Sequence, residues 1–468
     1  MSSNSSEHRA TTAAAQPAAG PSRRSLLRVL GAAGVGAAAV SALSACAPGS
    51  SAAPKALGSV APSQAKGSTT LWFKDDDLLK VFRGVVPSFT KKYPAVTVNL
   101  VGVDIDKKLA PALISGAGVP DGAFLGDGSV LGQAEHLTDL TSQMAKYRAD
   151  TVQYKLDVNT DGERLVGIPW DTDPGLLYYR EDILAAAKVD PAQLTSYDAL
   201  LDAAREIKGR DPKAQPIPLE QDPDLAMQWL MMLVNQQQGT GMVDSAGKLT
   251  IDTDAFRTAL TWIKKVADEG LGARSKFASS AQIAQADGGT VSLVPWAIWY
   301  NFLVQGTFKK SVGHWRAAQL PAWTTGGARS GVMGGSSFVI PAKAANPDLA
   351  WLFYEYAVYS PEGYQAVFGS NSVYPNGLNT ALPSVKSALN PQTSLFKPLA
   401  GLGNENLWEV GTQASLAIPP GYRIPTWFNQ ADAYLGANLQ KLMDGKMSVD
   451  AVIKQSAADI QTNLVNRA

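Results

Sequence analysis

At 468 residues, 45% apolar and 18% charged, the chain is too long for one hydrophobic core and has ordinary globular composition, so two large lobes are expected. Basic and acidic residues balance at 41 each, and from residue 46 onward they stand at 37 and 40, so the basic footprint of a nucleic-acid binder is missing. A single cysteine, Cys46, excludes an internal disulfide, and His8, His136 and His314 are too scattered for a zinc site, so no metal or cofactor is called for.

In chain order, Ser22-Arg23-Arg24-Ser25-Leu26-Leu27-Arg28 is a basic segment and Val29 to Ala45 an uncharged Ala/Gly/Val-rich run. That run is short and weakly apolar beside the ~20 residues of a membrane-spanning helix. It ends in Leu43-Ser44-Ala45-Cys46, which resembles a bacterial lipobox. Residues 1–45 therefore read as an export signal, with an uncleaved membrane anchor as the competing reading. Cys46 becomes the lipidated first residue. Arg23-Arg24 resembles a twin-arginine signal, with general secretion the other route. Residues 46–68 are rich in Ser, Ala, Pro and Gly and read as a flexible tether. Acyl chains on Cys46, at about 0.8 kcal/mol per buried CH₂, would hold the protein on the outer face of the cytoplasmic membrane.

Thr69 to Phe73 is a first strand, and Asp75-Asp76-Asp77 opens a helix at the positive end of its dipole. Leu78, Leu79, Phe82, Val86 and Phe89 give that helix a buried face, Tyr93-Pro94 ends it, and Val96 to Val103 is a second strand. This βαβ order predicts a parallel or mixed sheet. Ala123-Phe124-Leu125 is a short strand ending at Gly126-Asp127-Gly128-Ser129. Ligands bind at the carboxyl ends of such strands, which makes Asp75 and Asp127 candidates; Asp127 serves equally well as a turn residue.

Gly167 to Arg180, GIPWDTDPGLLYYR, reads as strand, polar-aromatic loop and strand, the pattern of a chain crossing between lobes. Thr195 to Asp198 resembles a capping box before a helix, and Pro216 to Leu219 is extended and ends in Glu220-Gln221-Asp222. Phe256, Leu260, Ile263 and Ala267 mark another helix, closed by Gly270. Val291 to Val294 is a buried strand that runs into Pro295-Trp296-Ala297-Ile298-Trp299-Tyr300. Those aromatics either line a site or, with Trp296 and Tyr300 on one helical face, pack inward. The glycine-rich stretch GVMGGSS (331–337) lets backbone amides approach a ligand before the strand Phe338 to Pro341; no Gly-Lys-Ser/Thr follows it, so it is not a phosphate loop. Asn346-Pro347-Asp348 starts a helix through Tyr359, Ser360-Pro361-Glu362 starts another, residues 365–425 read as irregular, and Gly445 to Ser448 divides two final helices.

In that order, the lipobox, Leu71-Trp72-Phe73, Phe89 to Pro94, Gly118-Val119-Pro120-Asp121, Gly167 to Tyr179, Val294-Pro295-Trp296, GVMGGSS and the closing helix pair resemble the extracellular solute-binding proteins of ABC importers, in their carbohydrate-binding, maltose-binding-protein-like group. The resemblance implies a two-lobed, type II periplasmic-binding-protein-like α/β fold, each lobe a mixed sheet flanked by helices. It implies one lobe of residues 69–171 and 318–360 and another of 172–317 and 361–468, with crossings near Trp170–Asp173, Ala317–Pro321 and Pro361. A sugar stacks its C–H faces on aromatics and pairs its hydroxyls with polar groups. The expected lining is Trp72, Asp75, Asp127, Trp170, Asp171, Glu220, Trp296, Trp299, Trp323, Gly335, Ser336 and Trp408, with Trp170 and Trp296 foremost. Gly126-Asp127-Gly128 is smaller than the family often carries there, which implies a wider pocket. The implied partners are a carbohydrate and the permease subunits, with the protein a monomer that closes on its ligand by hinge motion.

A surface-anchored carbohydrate-active enzyme is the rival reading, because Asp171, Asp173 and Glu220 could supply an opposed carboxylate pair. No serine nucleophile elbow is present, and Cys46 is taken up by the anchor. A two-lobed binder of another polar solute is the third reading; the absence of an Arg cluster from the candidate loops speaks against anions.

Overall fold

The computed structural model describes residue 57 and residues 62–467, apart from 75, 391–394 and 396. Cys46, the export signal, most of the tether and Asp75 lie outside the described residues.

The predicted βαβ unit seeds a five-stranded sheet in the order Val96–Val103, Gly67–Lys74, Gly122–Gly126, Ser336–Val339, Ile168–Pro169. The first three strands are parallel, and Ser336–Val339 runs antiparallel to both of its neighbours. Pro169 falls on the edge strand, where a missing N–H costs the ladder nothing. The first strand starts at Gly67, inside the stretch assigned to the tether, because Gly67 and Ser68 pair with Val96 and Thr97 through backbone alone.

Helix Asp77–Lys92 is capped by Asp76, whose carboxylate accepts from the amides of Leu78 and Leu79. Its buried face is Leu79, Val81, Phe82, Val85 and Phe89, one step round from the expected stripe. On that side of the sheet Phe82 and Phe124 lie 5.5 and 5.2 Å from Trp170, whose indole also stacks on Phe368 at 5.7 Å. The other face is covered by helix Ile105–Ser115 through Ile105, Leu109 and Leu113, with Trp72 half-buried against it.

A second, antiparallel sheet has Gly175–Arg180 at its centre, flanked by Leu293–Ala297 and Trp315–Gln319. Strands Ile217–Glu220 and Gly272–Ser275 form a parallel pair nearby. Strand Leu293–Ala297 does not stop at Val294: it continues through Pro295 and Trp296, paired with Leu177 and Leu176, and the edge position tolerates the proline.

Residues 365–425 are more regular than expected. Helix Pro361–Phe368 packs on Asp77–Lys92 and on Pro347–Tyr359, Leu382–Pro383 pairs with Asp171–Thr172, and Leu407–Leu416 is a helix capped by Asn406. Its apolar positions are interrupted by Gly, Thr and Ser, which hid the periodicity. The two C-terminal helices, Leu435–Met443 and Val449–Asn463, fall where predicted, the second capped by Ser448.

Candidate functional site

The glycine-rich loop and the crossing segment are bound together by carboxylates. Gly334 and Gly335 adopt φ of +99° and +105°, a region that favours glycine. A Cβ at 334 would lie 2.9 Å from Asp173 Oδ2, and one at 335 would lie 2.5 Å from Asp127 Oδ2. With no side chains in the way, the Gly335 amide donates to Asp173 Oδ2 at 2.9 Å and the Ser336 amide to Asp171 Oδ1 at 2.6 Å. Asp127 accepts from Ser337 Oγ at 2.7 Å, and its own amide donates to the Gly335 carbonyl at 2.9 Å.

Beneath the loop lies Lys155, on the short helix Gln153–Asp157 and fully buried. Its Nζ ion-pairs with Asp127, donates to the Ser336 carbonyl at 2.9 Å and stands 3.8 Å from Asp171 Oδ1. Burial pushes Asp171 up to about 7, against the pull of the Lys155 ammonium. Burial, reinforced by Asp171, holds Asp173 well above the usual carboxylate range. Sequence reasoning passed over Lys155, since one lysine between Tyr154 and Leu156 has no motif around it.

Two cavities border this loop. One, of about 440 Å³, is lined by Gly334, Gly335 and Asp127 together with Lys74, Asp106, Asp224, Tyr422 and Asp432. The other, of about 280 Å³, is lined by the polar residues Ser336, Asp171 and Asp173 and the aromatic residues Phe277, Trp299, Phe302 and Tyr374. Trp299 is held by its indole N–H, which donates to the Met333 carbonyl at 3.0 Å, and it meets Phe277 edge-on at 4.9 Å. Two buried atoms of residues on this second cavity have no hydrogen-bond partner: Asp173 Oδ1, an acceptor, and Trp170 Nε1, a donor. Unpaired buried polar atoms are costly, so a hydrogen-bond partner for each is favoured.

Of the residues expected from the sequence, the structure brings Asp127 and Gly335 to the first cavity and Trp170, Asp171, Trp299 and Ser336 to the second. Trp170 is 1% exposed, with its ring spent on Phe82, Phe124 and Phe368, so it offers an N–H edge rather than a stacking face. Trp296 is fully buried, because the strand carries it inward between Trp229 and Phe277. Trp408 is buried on its helix. Glu220 is tied down by the amides of Asp222 and Phe277 at 2.8 and 2.9 Å and is pushed up to about 7 by burial. Trp323 stacks on Tyr197 at 3.8 Å beside a separate surface cavity, and Trp72 sits on the far face of the first sheet. None of these five lines either cavity at the loop.

Asp173, Phe277, Tyr374 and Tyr422 line the cavities without having been singled out as lining. Asp173 was open to inference. Side chains two apart on an extended segment share a face, so Asp171 on the site implies Asp173 as well.

Two sheet-centred lobes, joined by crossing segments that carry polar groups into cavities, define a hinged solute-binding protein. The chain belongs to the bacterial extracellular solute-binding protein family, whose pattern matches residues 75–364. It is 27% identical over 295 residues to an arabinooligosaccharide-binding protein of Bacillus subtilis (strain 168), covering 60% of this chain and 66% of that one. It is 25% identical over 426 residues to a lactose-binding protein of Rhizobium radiobacter, covering 84% and 93%. The sugar-binding protein MalE of Xanthomonas citri shares its fold with a TM-score of 0.70 at 19% identity, covering 86% of this chain and 98% of that one. These relatives are binding proteins, and membership of an extracellular family makes this an exported chain.

Proposed function

We propose that this protein captures a mono- or oligosaccharide between its lobes and delivers it to the permease of an ABC importer, without chemical turnover. The observation that carries this reading is the 280 Å³ cavity, lined by aromatic side chains together with Asp173 and Trp170, whose Oδ1 and Nε1 are buried and unpaired. A sugar ring fits that pairing: its C–H face lies against Trp299 and Phe277 while a hydroxyl donates to Asp173 and accepts from Trp170. The sugar-binding relatives support the same ligand class. The loop 334–336, hydrogen-bonded to the crossing at Asp171 and Asp173, transmits contact to the hinge.

We take the lobes at the limits drawn from the sequence, but assign helix Pro361–Phe368 to the first lobe because it packs on helices Asp77–Lys92 and Pro347–Tyr359. The lobes work as a monomer, tethered by the residues that precede strand Gly67–Lys74 to a lipidated Cys46 after twin-arginine export.

The test is intrinsic tryptophan fluorescence with thermal unfolding of the chain lacking residues 1–46, against lactose, arabinooligosaccharides, galactobiose and maltose. At a hundredfold excess over Kd a ligand adds about 2.7 kcal/mol, so a saturable spectral change with a raised Tm and no product is the expected result. Product formation would instead identify an enzyme. Silence across all sugars would remove carbohydrate as the ligand class.

A further inference from the structure

Charge on the two cavities is strongly unbalanced. Among the described residues, Asp106, Asp127, Asp171, Asp173, Asp224 and Asp432 line them. The cations nearby are Lys74, which is 3.7 Å from Asp106, and Lys155, which is committed to Asp127 and the Ser336 carbonyl. A chain with near-equal acids and bases has therefore concentrated negative charge at its binding loop. Clefts lined by one sign of charge draw in the opposite sign.

The second cavity sharpens the point. Asp173 is 7% exposed; its Oδ2 accepts from Gly335, and its Oδ1 has no partner. Asp171 lines the same cavity, as do Phe277, Trp299 and Phe302. A carboxylate deprived of water needs a cation or a proton, and aromatic faces attract a cation further. Burial raises Asp173 and Asp171, so each holds a proton unless a cation takes its place.

On the carbohydrate reading above, we infer that the ligand is an amine-bearing saccharide, its ammonium held at Asp173 Oδ1 and its ring lying against the aromatic side chains. A neutral sugar would satisfy the hydrogen bonds and leave the carboxyl to its own proton. An N-acetylated sugar would lack the charge.

The chain lacking residues 1–46 is titrated calorimetrically at pH 7 with matched pairs: glucosamine and glucose, galactosamine and galactose, and the β-1,4 glucosamine dimer with cellobiose and with N,N′-diacetylchitobiose. The expected result is at least tenfold tighter binding of the amine in one pair or more, weakening as salt rises. Asp173→Asn should cut that preference at least tenfold. Asp224→Asn, outside the buried cluster, should cut it two- to threefold and covers the case in which the Asp173 variant does not fold. If a neutral or acetylated sugar binds as tightly as its amine or more tightly, the amine inference falls and the carbohydrate reading stands. If no sugar binds here, the amine inference falls, and if lactose, arabinooligosaccharides, galactobiose and maltose are silent as well, the carbohydrate reading falls with it.

Discussion

The amide of Gly335 donates to Asp173 Oδ2 at 2.9 Å, which makes the glycine-rich loop and the lobe crossing one mechanical unit. The loop holds this place because nothing projects from residues 334 and 335. At 335 a methyl group would meet Asp127 Oδ2 at 2.5 Å and Lys155 Nζ at 3.2 Å, with φ at +105°. Gly335→Ala therefore pays both for strain and for a displaced ion pair. Urea unfolding should show a loss of about 2–4 kcal/mol. A loss below 0.5 kcal/mol would mean the loop moves aside freely, and its role as a transmitter would fail.

Lys155 is the one ammonium among Asp127, Asp171 and Asp173, and removing a single partner from a buried ionic cluster costs about 3–5 kcal/mol. Lys155→Met should lose that much in urea. Adding Asp127→Asn to it removes the stranded charge and should restore at least half of the loss. Equal stability of the single and double variants would show that the pairing with Asp127 carries no weight.

Much of this architecture is visible in the sequence, and the part that is not has a physical explanation. Strand Val96–Val103 alternates apolar and polar residues, and helix Pro347–Tyr359 starts at its Asn-Pro-Asp, so both fall where local rules put them. The polar half of the site was within reach because Asp127, Asp171 and the GGSS run sit at strand ends. The aromatic half was not, because tryptophan suits a core as well as a sugar. Neighbours remote in sequence decide between those roles: Phe368 covers Trp170, and Trp229 covers Trp296. Lys155 was hidden for the same reason, since its partners lie 28, 16 and 181 residues away.

The buried acids predict a pH dependence. Asp171 rises from 3.8 to about 7 in the folded state, so folding takes up protons between those values. Its contribution is fully present below pH 3.8 and is lost as pH climbs through 7, at up to about 1.4 kcal/mol per pH unit. Asp173 acts in the same direction. Acids held low by partners, such as Glu269 beside Arg205, act in the opposite direction, so the test compares two proteins. Between pH 5 and pH 8 the wild type should lose more Tm than Asp171→Asn does. Parallel curves would show that Asp171 does not titrate in that window.

Trp296 and Trp299 stand three residues apart with their rings edge-on at 5.6 Å, yet they should behave differently toward ligand. Trp296 is fully buried between Trp229 and Phe277, whereas Trp299 lines the 280 Å³ cavity and is pinned to Met333 of the glycine-rich loop. Only Trp299 presents a surface to a ligand and senses movement of the loop. Trp299→Phe should abolish most of the fluorescence change that ligand produces and weaken binding, since phenylalanine keeps only a smaller aromatic face and loses the N–H bond to Met333. Trp296→Phe should lower Tm while leaving the ligand response in place. If instead Trp296→Phe silences the signal and Trp299→Phe keeps it, the ligand approaches from the Trp296 side, and the 280 Å³ cavity is not its seat.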